Sequence, residues 1–219
     1  MNIEWSQLNK TMQTQLKKKE TFDNGITTLL TLRKSLMDQM LEFKITLKNS
    51  DFIAMPFINA NGYHNKTIAY SLYHVFRIED IVANTLIAKT PQIFFRNSYQ
   101  SRMNSPIITT GNELIKHDIA DFSAKLDIDE LYNYISDVNI STTEMLKKLV
   151  FSDMKTVMTE HDKDNIRSLK VVSEDESAVW LIEYWCSKNI RGLLQMPFSR
   201  HWIMHTEAAL RIANKLTEK

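Results

Sequence analysis

Apolar residues recur three or four positions apart along most of this chain. In the segment 21–48 they are Ile26, Leu29, Leu30, Leu32, Leu36, Met37, Met40 and Leu41. This spacing puts the apolar side chains on one side of a helix and predicts a long amphipathic helix over 21–48. The same period predicts a short helix over 5–19. A further helix is predicted from Asn65 or Thr67, either of which suits an N-cap, to about Ala88.

Polar capping residues mark the helices in the second half of the chain. A modest helix is predicted over about 112–122. A longer one begins at Asp127 and continues through Leu149, because Asp127 and Glu130 have the spacing of a capping box. Proline and glycine punctuate the segment 92–111, which we expect to be irregular.

Two more helices are predicted near the end of the chain. Ser173 and Glu176 again have capping-box spacing and predict a helix that continues through Leu194. Pro197 then lies near the first turn of a final helix, where the missing N–H of proline would lack an intrahelical partner anyway. That helix is expected to end near Leu216.

The composition agrees with an all-helical chain that buries a core. Apolar residues make up 43% of the 219 residues, and only four glycines and four prolines interrupt them. No internal repeat and no low-complexity linker divides the sequence. We therefore predict a single all-α domain over 1–219, built on a four-helix core with additional short helices. Its core is expected over about 21–216, after an N-terminal extension helix within 1–20.

The net charge and the cysteine content limit the partners and the cellular compartment that we expect for this protein. The formal net charge is +1, which argues against a dedicated nucleic-acid surface. The single cysteine, Cys186, allows no internal disulfide and suits a reducing compartment. No apolar run has the length of a membrane span or the form of a signal peptide. We expect a cytoplasmic protein without a nucleic-acid or membrane partner.

The most informative motif is a pair of histidines in the last helix. His201 and His205 are four residues apart and therefore share one helix face, which continues through Ala208 and Ile212. Trp202 stands where the helix of a zinc protease has its glutamate, so the protease motif is absent. Three interpretations remain open: two hydrogen-bonded core histidines, a pair left exposed beyond the end of the bundle, or two ligands of one metal ion.

A third inward-facing histidine favours the metal. His74 shares a helix face with Tyr70, Ile78 and Ile81, so two helices can direct three imidazoles to one ion. The remaining histidines occur in polar, turn-prone contexts, at His64, His117 and His161. His74, His201 and His205 are therefore the candidate ligands of one metal ion.

The motifs around these histidines resemble the DinB superfamily, the DinB/YfiT-like metalloenzymes. The likeness rests on YHVFRIEDI around His74 and on SRHWIMH around His201 and His205. The segments TTGNEL and LDIDELYNYI between them add to it, and the likeness covers about 21–216.

This resemblance implies a four-helix bundle of up-down-down-up topology with a three-histidine site at one end. The site would hold a divalent metal, most often zinc or nickel, and members often form homodimers. Characterised members include transferases that use a low-molecular-weight thiol as cosubstrate. The resemblance thus implies a metal-dependent thiol S-transferase that acts on small electrophilic molecules. No general base is evident, so the catalytic residues stay undefined.

Two other functions fit the sequence. One is a non-catalytic, metal-stabilised homodimer with a binding or stress-related role. The other is a metallophosphohydrolase that uses the pairs His117–Asp118 and His161–Asp162, although both pairs lie in polar contexts.

Several residues near the motifs carry further expectations. Glu79 is about 140° around the helix from His74, so we expect it to pair with a neighbouring helix. Arg77 and Glu207 are expected in solvated ion pairs or at the rim of the site. The segment 171–196, which is bulky for a smaller family member and contains Cys186, is expected to cover or reshape the site.

Overall fold

A computed structural model of the chain describes residues 2–60 and 62–217. Within these ranges the fold is helical, and the only β-type pairing is one isolated bridge between Val157 and Asn189. The prediction of an all-α chain is confirmed. Among the helices of these ranges, none combines the length and the apolar character needed to cross a membrane.

The α-helices are numbered in chain order. They are α1 Ile3–Gln15, α2 Phe22–Thr46, α3 Asn49–Phe52, α4 Ile68–Asp80, α5 Ile93–Arg96, α6 Tyr99–Arg102, α7 His117–Lys125, α8 Ile128–Lys148, α9 Glu160–Leu169, α10 Glu176–Cys186, α11 Ile190–Leu194 and α12 His201–Thr217. Two π-helical segments adjoin them, Ile81–Ile87 after α4 and Met196–Arg200 before α12. Short 3-10 turns occupy Lys19–Thr21, Gly62–His64 and Phe151–Lys155.

Helix α4 lies at the centre of the fold. Every residue of Ile68–Asp80 is buried, and α4 contacts both α8 and α12. Helix α2 contacts α12, α8 and α1. The sequence accounts for this position because α4 is apolar or aromatic on all sides apart from a few polar residues that find buried partners.

The long helices agree well with the sequence pattern. The helix predicted over 21–48 is α2, Phe22–Thr46, and the helix predicted over 5–19 is α1, Ile3–Gln15. The Asp127 side chain accepts a hydrogen bond from the Glu130 N–H at 3.0 Å and caps α8. The segment 92–111, expected to be irregular, contains the one-turn helices α5 and α6.

The helix predicted from Ser173 through Leu194 is wrong in both its cap and its length. Asp175 is the N-cap, because its carboxylate accepts from the Ser177 N–H at 2.8 Å. Helix α10 ends at Cys186, and Asn189 caps the separate helix α11 by accepting from the Gly192 N–H at 2.9 Å. An internal residue with N-cap chemistry therefore divides the predicted helix.

Helix α9 is absent from the sequence prediction. It covers Glu160–Leu169, where only one apolar residue, Ile166, is buried. A single apolar position gives no periodic pattern from which a helix could be predicted. Thr159 and Asp162 cap its start reciprocally: the Asp162 carboxylate accepts from the Thr159 N–H at 2.8 Å. His161 and Asp162, expected in a turn, thus lie in the first turn of a helix.

Candidate metal centre

Three histidines from two helices meet inside the fold. His74 comes from α4, and His201 and His205 come from the first two turns of α12. One nitrogen of each ring lies within 4.8 Å of the corresponding nitrogens of the other two. In the described part of the chain, no other group of three or more potential ligand side chains lies this close together. The predicted convergence of the three rings is confirmed.

All three rings are buried. His74 is 6% exposed, His201 7% and His205 3%. Their ring centroids lie 5.0 Å apart for His74 and His201, 4.9 Å for His74 and His205, and 4.6 Å for His201 and His205. Because α12 turns about 100° per residue, the four-residue spacing alone places its two histidines side by side.

A backbone carbonyl fixes the orientation of His74. Its Nδ1 lies 2.8 Å from the carbonyl oxygen of Thr110. A carbonyl only accepts, so Nδ1 carries the hydrogen, and Nε2 of the neutral ring presents its lone pair to the other histidines. Metal-bound histidines usually donate their second N–H to such an oxygen.

The loop that supplies this carbonyl is itself held in place. The Tyr70 hydroxyl donates to the Gly111 carbonyl at 3.0 Å, and the Tyr70 ring stacks on His74 with centroids 5.5 Å apart. Gly111 has a φ of +79°, and a Cβ there would lie 3.1 Å from the Tyr70 ring. Glycine is therefore needed at the residue that follows Thr110.

The nitrogens of His74 and His201 approach each other directly. Their Nε2 atoms lie 3.2 Å apart. Neutral His201 can donate a hydrogen bond across this gap, but the same distance suits two ligands of one ion. Metal–nitrogen bonds of about 2.0–2.1 Å in a tetrahedral zinc site give a nitrogen–nitrogen separation of about 3.3 Å. Nδ1 of His201 is buried and has no hydrogen-bond partner among the residues that the structure describes.

Burial keeps the rings neutral near neutral pH. Loss of solvation lowers the pKa of His74 to about 4, an effect that the Thr110 carbonyl partly offsets and the nearby Lys66 charge reinforces. The pKa values of His201 and His205 fall well below the ordinary value, first through burial and then through mutual repulsion of the ring charges. Neutral imidazole is the form that binds a metal.

A buried ion pair fixes α12 beside the site. Arg33 of α2 donates to both carboxylate oxygens of Glu79, at 2.6 and 2.7 Å. Trp202, the neighbour of His201, donates its indole N–H to Glu79 at 2.7 Å, and Asn139 of α8 accepts from Arg33 at 3.0 Å. The expected pairing of Glu79 with a neighbouring helix is confirmed, whereas the sequence did not identify Arg33 as its partner.

The expectation for Arg77 is wrong. Its side chain is fully buried, and it donates to the Ile108 carbonyl at 2.7 Å and to the Gln92 side chain at 3.0 Å. Arg77 thereby holds the loop that leads to Thr110, and its N–O distance to Asp80 is 3.6 Å. Glu207 accepts from the backbone N–H of Asn2 at 2.6 Å, so it joins α12 to the start of the chain.

The other histidines lie away from the triad. His117 and Asp118 are exposed at the start of α7, and His161 is exposed at the start of α9. His64 accepts a hydrogen bond from Arg211 at 2.7 Å. A phosphohydrolase centre would require these pairs to belong to a cluster of metal-ligating side chains. In the described ranges, neither histidine–aspartate pair belongs to such a cluster.

A cavity of about 210 Å³ adjoins the triad. His74 and His201 line it, and four neighbouring side chains of α10 line it too: Trp180, Leu181, Tyr184 and Trp185. The segment expected to cover or reshape the site thus forms part of this cavity's wall. Cys186 at the end of α10 is buried, and burial raises the pKa of its thiol to about 11, so it is not an activated nucleophile.

Comparison with known protein families finds no family model that matches this chain, and comparison with curated proteins finds no match either.

Proposed function

We propose that His74, His201 and His205 bind one divalent metal ion, zinc or nickel. The observation that carries this proposal is the convergence of three buried, neutral imidazoles whose nitrogens lie within 4.8 Å of one another. We further propose that the chain belongs to the DinB-like metalloenzymes and has their four-helix bundle, formed by α2, α4, α8 and α12. The motifs around the histidines support this assignment, as does the packing of these four helices.

The residues present fit such an ion. The site offers three nitrogen donors, one of them oriented by a backbone carbonyl. No acidic or thiol side chain belongs to the cluster in the described residues, so a bound divalent ion would keep its full charge.

We propose that the activity is transfer of a low-molecular-weight thiol to a small electrophilic molecule. A cation held by the triad would lower the pKa of a thiol or a water molecule that binds beside the histidines. The chain's own residues orient the histidines and exclude water from the triad. Thr110 holds the His74 tautomer, Glu79 fixes Trp202 beside His201, and the side chains of α10 shield the triad from solvent.

The cavity favours catalysis over a purely structural metal. A structural site is normally closed by protein ligands, whereas a catalytic site leaves one position open to small molecules. Here three side chains converge, and a cavity reaches two of them. The alternative, a non-catalytic metal-stabilised homodimer, needs no such cavity. If chelation lowers the thermal stability and no thiol chemistry is found, the alternative is the better account.

Thiol conjugation tests the activity. Purified protein is loaded with zinc or nickel and assayed with several low-molecular-weight thiols against a panel of neutral electrophiles. We expect conjugation that chelation abolishes and that His74→Ala reduces at least a hundredfold. His64→Ala, which changes a histidine outside the triad, serves as the control and should leave the rate unchanged. Equal rates with and without metal, across the panel, would refute the proposed activity.

A further inference from the structure

We propose that the cavity between α10 and the triad binds a small, neutral, largely aromatic molecule. In the proposed reaction this molecule is the electrophile and not the thiol cosubstrate. The assignment of roles rests on the proposed function, whereas binding of the neutral molecule rests on the cavity alone.

The chemistry of the cavity wall selects against charge. Of the described residues that line it, none carries an aspartate, glutamate, lysine or arginine side chain. The polar side chains at the wall are the two histidines, Asn112 and Tyr184. In the metal-free protein, a carboxylate or ammonium group would lose its hydration here without gaining a countercharge, which is strongly unfavourable. The charged groups that low-molecular-weight thiols usually carry suit this cavity poorly, so of such a cosubstrate we expect only the thiol group to reach the triad.

The volume sets the size of the molecule. A cavity of about 150 Å³ with apolar walls is large enough to bind benzene. At about 210 Å³, this cavity has room for a substituted benzene ring. A dinucleotide or a peptide is far too large.

The aromatic side chains indicate what the molecule contacts. Trp180 is 48% exposed although it lines the cavity, and its ring meets Tyr184 edge-to-face with centroids 5.5 Å apart. Its indole N–H donates to the Ser177 carbonyl at 2.8 Å, which holds the ring in place. Such a fixed, partly exposed aromatic surface favours an aromatic ligand, through stacking or edge contacts.

The polar side of the cavity wall is connected to the triad through a loop. Asn112 follows the loop in which Thr110 accepts from His74, and its carbonyl lies 3.4 Å from the Ser177 hydroxyl of α10, which donates to Asp175 at 2.6 Å. One short loop therefore connects α10, the cavity and the histidine that lines it. A neutral ligand with one hydrogen-bonding group can direct that group to this side.

A matched set of probes tests the inference on metal-free protein, in which the carboxylate probe has no metal to bind. Benzyl alcohol, benzoate and benzylammonium share one ring and differ in charge. Ligand-observed NMR titration should show binding of benzyl alcohol at least tenfold tighter than that of either ion. Equal or tighter binding of benzoate or benzylammonium would overturn the inference.

Two variants of α10 locate the binding. Trp180→Ala should weaken benzyl alcohol binding at least fivefold, and Trp180→Phe should retain most of it. Val179→Ala is the control, because Val179 is 43% exposed in the same helix and does not line the cavity. Binding that Trp180→Ala leaves unchanged would place the ligand elsewhere and contradict the inference. Since the titration uses no metal, a failure of metal binding at the triad leaves its outcome unaffected.

Discussion

Arg33 and Glu79 form a bidentate ion pair in the centre of the fold, with N–O distances of 2.6 and 2.7 Å. Arg33 is 2% exposed and Glu79 is fully buried. The pair joins α2 to α4, and through Trp202 it also fixes the turn of α12 that carries His201. The candidate metal centre is therefore built on a buried charge network, and a substitution that breaks this network should also disturb the site.

Glu79→Gln tests this network. The substitution leaves Arg33 as a buried charge without a counterion, and breaking such a pair typically costs about 3–5 kcal/mol. We expect the free energy of unfolding, measured by urea denaturation, to fall by about 3 kcal/mol. Asp38→Asn is the matched control, because its pair with Lys34 is exposed and should contribute less than about 1 kcal/mol. Similar losses in both variants would show that the buried pair has no special role.

Gly111→Ala tests the loop that orients His74. The positive φ costs alanine about 1–2 kcal/mol, and the new methyl group would contact the Tyr70 ring that stacks on His74. We expect a lower thermal midpoint and a metal affinity reduced about tenfold, as when other partners of ligating histidines are disturbed. Gly62→Ala is the control: Gly62 also has a positive φ, but its Cβ would meet nothing within 4 Å. Equal metal affinity in the two variants would rule out a role for this loop.

The triad should make the metal-free protein sensitive to acid. The pKa of His74 is about 4 in the fold and about 6.5 in the unfolded chain, so between these values the unfolded chain binds more protons. The stabilising contribution is complete above pH 6.5 and is lost as the pH falls towards 4. For His74 alone it amounts to about 3 kcal/mol.

Urea denaturation at several pH values measures this loss. His74→Gln should flatten the dependence of the unfolding free energy on pH between 6.5 and 4. The same slope in wild type and His74→Gln would contradict the burial of a neutral ring at position 74.

Cys186 should react slowly with thiol reagents in the native protein. Burial raises the pKa of its thiol to about 11, which leaves almost no thiolate at pH 8. We expect Ellman's reagent to modify it at least a hundredfold more slowly in the native state than in urea. Rapid stoichiometric reaction of the native protein would show that the thiol is accessible and would reopen a nucleophilic role for it.

The elements that the sequence predicted well are those with a strong local signal. The apolar period of α2 and the cap at Asp127 depend on residues within one helix, and the four-residue spacing of His201 and His205 fixes their common face. The inward position of His74 follows from the same periodicity. These local rules placed three histidines on the inward faces of two helices, whereas the convergence of those helices depends on how they pack.

The features that the sequence missed depend on distant or backbone groups. Arg33 lies 46 residues from Glu79, so their pairing is visible only once α2 and α4 pack together. The Thr110 carbonyl that orients His74 is a backbone atom and leaves no side-chain pattern. Arg77 was expected in a solvated ion pair or at the rim of the site, yet the Ile108 carbonyl and the Gln92 side chain bind it in the interior.

Metal analysis of the purified protein tests the central claim most directly. Wild type, His205→Ala and the control His64→Ala are loaded with zinc or nickel, desalted and measured by elemental analysis, with circular dichroism to confirm folding. We predict one metal ion per chain in wild type and His64→Ala and less than a tenth of that in folded His205→Ala. Full metal content in folded His205→Ala, or none in wild type after loading, would contradict the three-histidine site.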